Sequence, residues 1–264
     1  MKMANSVINI VAVLQTRMDP KNIHHKAILS LGGKPLLLMI LERIKACRLL
    51  SMIVVTTTND PVDEQVYQLC KNEGIPVFRD FRENQLNSDY KIALKYDADV
   101  LLKISVNSPL LDPSIITRML KFYIENQNKY DYVSNLSPAS YPKGNEVEII
   151  SYSSLKRAWE SADDFHEKEN STLYLRNNPD KFRIGNVMWE AGYDYSKTHR
   201  WILEYEEDYV FIKKVFDELY YADPNFDIYD ILSLLDKQPH LQYINSKYLE
   251  TSIHNKKINY KAVY

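Results

Sequence analysis

The sequence predicts an α/β domain built on a doubly wound, mainly parallel sheet with helices on both faces. Three observations predict it. Short, continuous apolar runs of strand length alternate with longer segments in which apolar residues recur at helical spacing. Two of those segments open on Asp-Pro, a helix-capping residue followed by a proline suited to the first helical position. The chain has 264 residues, of which 45% are hydrophobic and 26% charged, enough to bury one sizeable core.

Taken in order, Val7 to Leu14 reads as the first strand, Met52 to Thr57 as the second, Pro76 to Phe78 as the third, Val100 to Ile104 as the fourth and Tyr132 to Ser134 as the fifth. Helical periodicity falls between them, over Pro35 to Cys47, Pro61 to Asn72, Ser88 to Tyr96 and Pro113 to Glu125. This βαβα alternation is what implies the parallel sheet. After the loop Ser137 to Asn145, rich in Pro, Ser and Gly, "EVEII" reads as a short alternating strand. Helical patterns return over Ser153 to Ser161, His166 to Arg176, Glu206 to Leu219 and Asp227 to Leu235, with strand-like pieces at Phe182 to Val187 and Arg200 to Leu203. Residues 1–250 read as a single domain, and the polar, basic residues 251–264 as a surface tail.

No apolar stretch reaches the roughly 18 residues that span a bilayer, and the N-terminus lacks the regions of a signal peptide. A cytoplasmic protein without membrane insertion is expected. Cys47 and Cys70 lie in helix-like segments without CxxC spacing, which reads as reduced core thiols. A formal net charge of -2 argues against a nucleic-acid polymer as partner but leaves room for a local site that binds a small anion.

In a doubly wound sheet, ligands bind outside the carboxyl ends of the strands. That rule selects the loop from Gln15 onward, with Arg17, Lys21 and Lys26, and the loop "SVNSPLLDP", which opens on Ser105 and contains Asn107. Arginine can fork onto phosphate oxygens and lysine supplies a point charge, so this basic loop reads either as a phosphate site or as a solvated surface. Gly32, Gly33 and Lys34 before a helix suit an anion cradle or an ordinary turn. The adjacent His24 and His25 diverge in an extended loop and suit no shared metal. Glu146 and Glu148 are two apart, so in a strand they face one side and could share a hydrated Mg2+; charges on an exposed edge are the alternative. Asp97-Ala98-Asp99 resembles a metal-binding DxD but precedes the fourth strand, at the wrong end of the sheet.

Seven blocks then match one pattern in order: "VAVLQTRM...KAILSLGGKPLL", "VVTTTNDPVDE", "GIPVFRD", "ADVLLKIS...PLLDP", "DYVSN", "YPKGNEVEI" and "HRWILEYEEDYVFI". The chain resembles the cytidylyltransferase family that includes the spore-coat polysaccharide protein SpsF and is similar to the acylneuraminate and 3-deoxy-manno-octulosonate cytidylyltransferases. The resemblance implies a nucleotide-diphospho-sugar transferase-like fold with a small dimerisation hairpin. It also implies a homodimer and the reaction of CTP with a sugar acid to give a CMP-sugar and pyrophosphate, with Mg2+ as cofactor. Relatives' inserted strands cross to the partner, which points to Tyr141 to Ile150 as the self-associating segment.

Carried over by residue, Arg17 matches the first arginine of the family's QARMGSTRLPGK loop and Lys26 its final lysine, which implies nucleotide-binding and catalytic roles for both. Gln15, Ser105 and Asn107 fall in the nucleotide-binding blocks, and Glu146 and Glu148 at the carboxylates of the family's GLDVEV strand, as metal ligands. The sequence departs from the pattern at several of these points. GSTRLPG becomes Asp19 to His25 without glycine, Val106 and Asn107 replace the Gly-Asp of TGDCP, and Glu204 replaces the aspartate of WTVDTPED. Two readings follow: an active CTP-dependent enzyme serving surface polysaccharide or glycan synthesis, and a non-catalytic binding or scaffolding paralogue. A glycosyltransferase of similar fold is a third.

Overall fold

A computed structural model describes residues 8–16, 23, 25–81, 84–189 and 192–249 of the chain. The first half contains β1 (Ile10–Gln15), the two-stranded hairpin β2 (Ser30–Leu31) and β3 (Lys34–Pro35), α1 (Leu36–Lys45), β4 (Met52–Thr58), α2 (Glu64–Asn72), β5 (Val77–Asp80), α3 (Gln85–Lys95), β6 (Val100–Ser105) and α4 (Pro113–Asn126). The second half contains β7 (Tyr132–Ser134), β8 (Glu148–Ser151), α5 (Tyr152–Ser161), α6 (Phe165–Glu169), α7 (Leu173–Asn177), β9 (Ile184–Asn186), α8 (Glu206–Leu219) and α9 (Ile228–Lys237).

Seven strands form one sheet in the order β5-β4-β1-β6-β8-β7-β9. β1 pairs parallel with β4 and β6, β4 with β5, and β7 with β9, while β8 runs antiparallel between β6 and β7. The α/β architecture, mainly parallel and doubly wound, is the one the alternation predicts. Both faces of β1 are buried: Ala12 and Leu14 pack into one apolar cluster, Val11 and Val13 into another. This is why the central strands read as unbroken apolar runs rather than alternating ones. Cys47 and Cys70 are buried free thiols, as expected.

Helix starts follow their capping residues. The Asp112 side chain accepts from Ser114 N at 2.6 Å and from Ile228 N at 2.9 Å, so it caps α4 and ties it to the start of α9. At the opposite end of the sheet Asp99 accepts from Asn9 N at 2.9 Å, and Asp97 takes a left-handed turn with φ 50°, which fixes Asp97-Ala98-Asp99 as a turn away from the carboxyl ends.

Three expectations are corrected. The helix expected over His166 to Arg176 is split into α6 and α7. At the break, buried Ser171 turns inward and donates to Asp89 at 2.6 Å, and Asn170 accepts from Thr172 N at 3.4 Å, so side-chain bonds displace the helical ladder. Arg200 to Leu203 joins no sheet and makes only an isolated bridge with Lys143. Its amides serve loops instead: Trp201 N donates to Lys143 O and Leu203 N to Asn107 O, both at 2.8 Å. Glu146 precedes β8, which begins at Glu148, so the two do not share one strand. β8 itself is paired on both sides within the chain, with β6 and β7. The small antiparallel hairpin present is β2–β3. Residues 251–264 lie outside the described residues, as do Arg17, Lys21 and His24.

Candidate functional site

The strand order reverses direction between β1 and β6, the switch point outside whose carboxyl ends a doubly wound sheet binds its ligands. Gln15 and Ser105 are register partners at these carboxyl ends, and Val106 N donates to Gln15 O at 2.9 Å. Ser105 Oγ accepts from Asn107 N at 3.1 Å, which turns the chain at the end of β6. Gln15, Ser105 and Asn107, placed at the site on sequence grounds, therefore lie together. Thr16 N donates to Thr56 O at 2.8 Å, and the buried hydroxyls of Thr16 and Thr56 find no hydrogen-bond partner among the described residues. A buried unpaired hydroxyl costs about 1–3 kcal/mol, so Thr16, directly after β1, marks a place where a polar ligand would be stabilised. The sequence reading passed over these threonines because threonine is an ordinary strand residue.

Lys26 opens a short 3-10 turn, Lys26–Ile28, behind His25 in the left-handed region at φ 55°. Only 2% of Lys26 is exposed. It is a buried cation at the end of the β1 loop rather than a solvated one. Upstream, Ile23 N donates to Glu204 O at 3.2 Å, which joins this loop to the segment 200–204.

Near the end of β6, which Leu203 N joins through Asn107 O, lies a cleft of about 510 Å³, lined by Tyr141, Lys143, Glu146, Arg200, Ile202 and Glu204 among others. The Lys143 and Arg200 segments are held together at Gly144. This glycine has φ +99°, and a Cβ on it would stand 2.7 Å from the Trp201 carbonyl, so only glycine fits. Glu146 Oε2 accepts from Gly144 N at 2.8 Å. Burial pushes the Glu146 carboxyl above the ordinary range, partly offset by that backbone bond and by the charge of Lys143, while nearby Glu204 raises it further. Burial also holds the Lys143 amine below its ordinary value, and the Arg200 charge pushes the same way. Glu204 is anchored by Arg200 at 2.7 Å and keeps 33% of its side chain exposed.

A carboxyl whose folded value lies above its unfolded one costs stability at pH above the unfolded range, increasingly as pH rises through the folded value. Glu146→Gln is therefore expected to be more stable than the parent at neutral pH. The difference should vanish below about pH 4, in thermal melts run from pH 3.5 to 8.

Glu148 stands apart from this cleft. It accepts from the Tyr132 hydroxyl at 2.5 Å and is the register partner of Lys103. Lys103 in turn pairs with Asp89 at 2.6 Å, with 8% and 0% of the two side chains exposed. Glu146 and Glu148 thus keep different partners. Among the described residues no group of three or more His, Cys, Asp or Glu side chains is placed to hold a metal ion. Asp112 is occupied as a helix cap and does not supply the carboxylate that Asn107 lacks. The side chains described do not by themselves fit an Mg2+ site.

Comparison with known proteins follows the same lines. A family model described as cytidylyltransferase matches residues 11–248. The spore coat polysaccharide biosynthesis protein SpsF of Bacillus subtilis is 23% identical over 239 residues, 88% of this chain and 95% of that one. The 3-deoxy-manno-octulosonate cytidylyltransferase of Geobacter sulfurreducens is 26% identical over 121 residues, 45% of this chain and 47% of that one. A solved cytidylyltransferase from Leptospira borgpetersenii superposes with a TM-score of 0.82 at 24% identity, covering 96% of this chain and all of that one, and is a likeness of fold. No helix among the described residues is long and apolar enough to cross a membrane.

Proposed function

We propose, from the premise that this chain belongs to the cytidylyltransferase family, that it activates a sugar acid with CTP for the synthesis of a surface polysaccharide or glycan. The observation that carries this reading is the junction of the β6 carboxyl end with the cleft. Leu203 N binds Asn107 O at the end of β6, and Glu204, whose carbonyl holds the β1 loop at Ile23, lines the cleft. A nucleotide over the ends of β1 and β6 and an acceptor in the cleft would be neighbours.

In this reading a hydroxyl of the acceptor attacks the α-phosphorus of CTP in line. The new C–O–P bond forms as the bond to the β-phosphate oxygen breaks, and pyrophosphate leaves. Lys26 and Arg17 offset the charge on the phosphates, and Gln15, Ser105 and Asn107 line the nucleotide's seat. Glu146 and Glu204 are the carboxylates on hand to take the hydroxyl's proton. The protein acts as a homodimer, a reading supported by the exposed Met188, Tyr193 and Tyr229, at 49%, 66% and 64%.

The second reading, a non-catalytic paralogue, is favoured by Asn107 and by the commitment of Asp112 to its helix. Pyrophosphate release from CTP with a panel of sugar acids decides between them: no release with any acid rejects the first. Magnesium is expected to bind weakly and only alongside nucleotide phosphates, since an amide is a neutral ligand. Asn107→Asp should tighten magnesium binding in the presence of CTP, by roughly tenfold for one added anionic ligand, measured by calorimetry. Unchanged affinity would show that Asn107 is remote from the metal.

A further inference from the structure

Among the described residues the segment 200–204 is bonded to three loops of the site, yet it belongs to no sheet. Trp201 meets Lys143, Leu203 meets Asn107, and Glu204 meets Ile23. What fixes it lies behind it. Arg200, 3% exposed, donates from Nε and Nη2 to the two oxygens of Asp208, both at 2.9 Å. Asp208 is fully buried and its Oδ2 also accepts from the backbone N–H groups of Glu204 and Tyr205 at 3.0 Å. Asn245, 2% exposed and close to the C-terminal end of the described chain, completes this network: its Nδ2 donates to Asp208 Oδ1 and to Arg200 O, both at 2.8 Å. Three residues on, Tyr248 stacks on Tyr205 with ring centres 3.9 Å apart and planes 14° from parallel. The Arg200 guanidinium lies 5.4 Å and 5.6 Å from those two ring centres.

We propose that Asn245 and Tyr248 are positioning residues of the site, acting through Arg200 and Asp208 to set Glu204 and the cleft wall. The inference rests on the proposed reading only where it speaks of turnover. A paired arginine and aspartate in a dry interior have steep geometric demands, because each unsatisfied donor or acceptor there is costly. Asn245 satisfies an acceptor on each side of the pair and so selects one placement of the Arg200 backbone. The stacked tyrosines exclude water from the guanidinium. The Arg200 Nη2 is shared between Asp208 and Glu204, so the same placement decides where the Glu204 carboxylate stands in the cleft.

The test uses the full chain with Asn245→Ala, Tyr248→Ala and the conservative Tyr248→Phe, read two ways. Hydrogen exchange should show the amides of Ile23 and Leu203 opening at least tenfold faster in both alanine variants, with Val11 to Leu14 of β1 unchanged and Tyr248→Phe close to the parent. Steady-state pyrophosphate release should show a loss of tenfold or more in kcat/KM for the acceptor, with Kd for CTP alone within twofold of the parent. Unchanged exchange at Ile23 and Leu203 overturns the proposal. Faster exchange that extends equally to β1 also overturns it, since that is general destabilisation. Local opening without loss of acceptor kcat/KM overturns it as well. If the parent releases no pyrophosphate with any sugar acid, the proposed activity falls, and the exchange result alone judges whether Asn245 and Tyr248 position the segment.

Discussion

Asp89→Ala is expected to destabilise the protein by about 3–5 kcal/mol, the range for removing one partner of a buried ion pair. Asp89 lies on α3 with none of its side chain exposed, and it pairs with Lys103 on β6 at 2.6 Å. It also accepts from Gln85 Nε2 and Ser171 Oγ, both at 2.6 Å, and Ser171 bonds Lys103 as well. Alanine would leave the Lys103 ammonium in a dry interior beside Ser171, without its counter-charge. The melting temperature should fall by roughly 10 °C for a domain of this size. Replacing both charges, as Asp89→Leu with Lys103→Met, should recover most of the loss, because apolar groups of similar volume do not carry the desolvation cost. A double variant no more stable than Asp89→Ala in urea titration would show that the pair is needed as a pair. Lys103 sits two residues before Ser105 in β6, so the single variant should also loosen the carboxyl end of that strand.

The second large effect concerns the basic loop. Removing the charges of Arg17 and Lys26 together is expected to weaken CTP binding by about 2–4 kcal/mol, roughly 30- to 1,000-fold, the scale of two hydrogen bonds to charged groups. Lys26 is 2% exposed, so alanine there would also open a cavity; Lys26→Met keeps the stem's volume and removes only the charge. Arg17→Ala with Lys26→Met is therefore the variant to measure, by calorimetry against CTP, with melts to confirm that the fold is retained. Affinity equal to the parent would mean that Lys26 serves the fold and that the nucleotide is held elsewhere.

The sequence by itself determined the βαβα order of the main parallel strands and their helices from β1 to α4, because burial on both faces writes parallel strands as continuous apolar runs and capping residues mark where helices begin. β1 and β6 fall within three residues of where Val7 to Leu14 and Val100 to Ile104 place them, and Asp112 caps α4 as its Asp-Pro pair implies. The rule that ligands bind at carboxyl ends then brought Gln15, Ser105 and Asn107 into one neighbourhood, since it depends only on topology. Tertiary structure alone decided which charges face one another. Glu146 and Glu148 look like a pair at a spacing of two, but one is claimed by the Gly144 amide and the cleft, the other by Tyr132. Lys103, Asp89 and Ser171 are separated by 14 to 82 positions in the chain and become one buried cluster only when α3 and the α6–α7 break close on β6. The segment Arg200 to Glu204 has the composition of a strand, yet it runs across the site because its N–H groups find loop carbonyls and its arginine finds Asp208 and Asn245. Periodicity reports which face a residue turns toward the core; a polar group's partner is chosen by three-dimensional proximity and by the cost of burying it unpaired, and no local pattern carries that information.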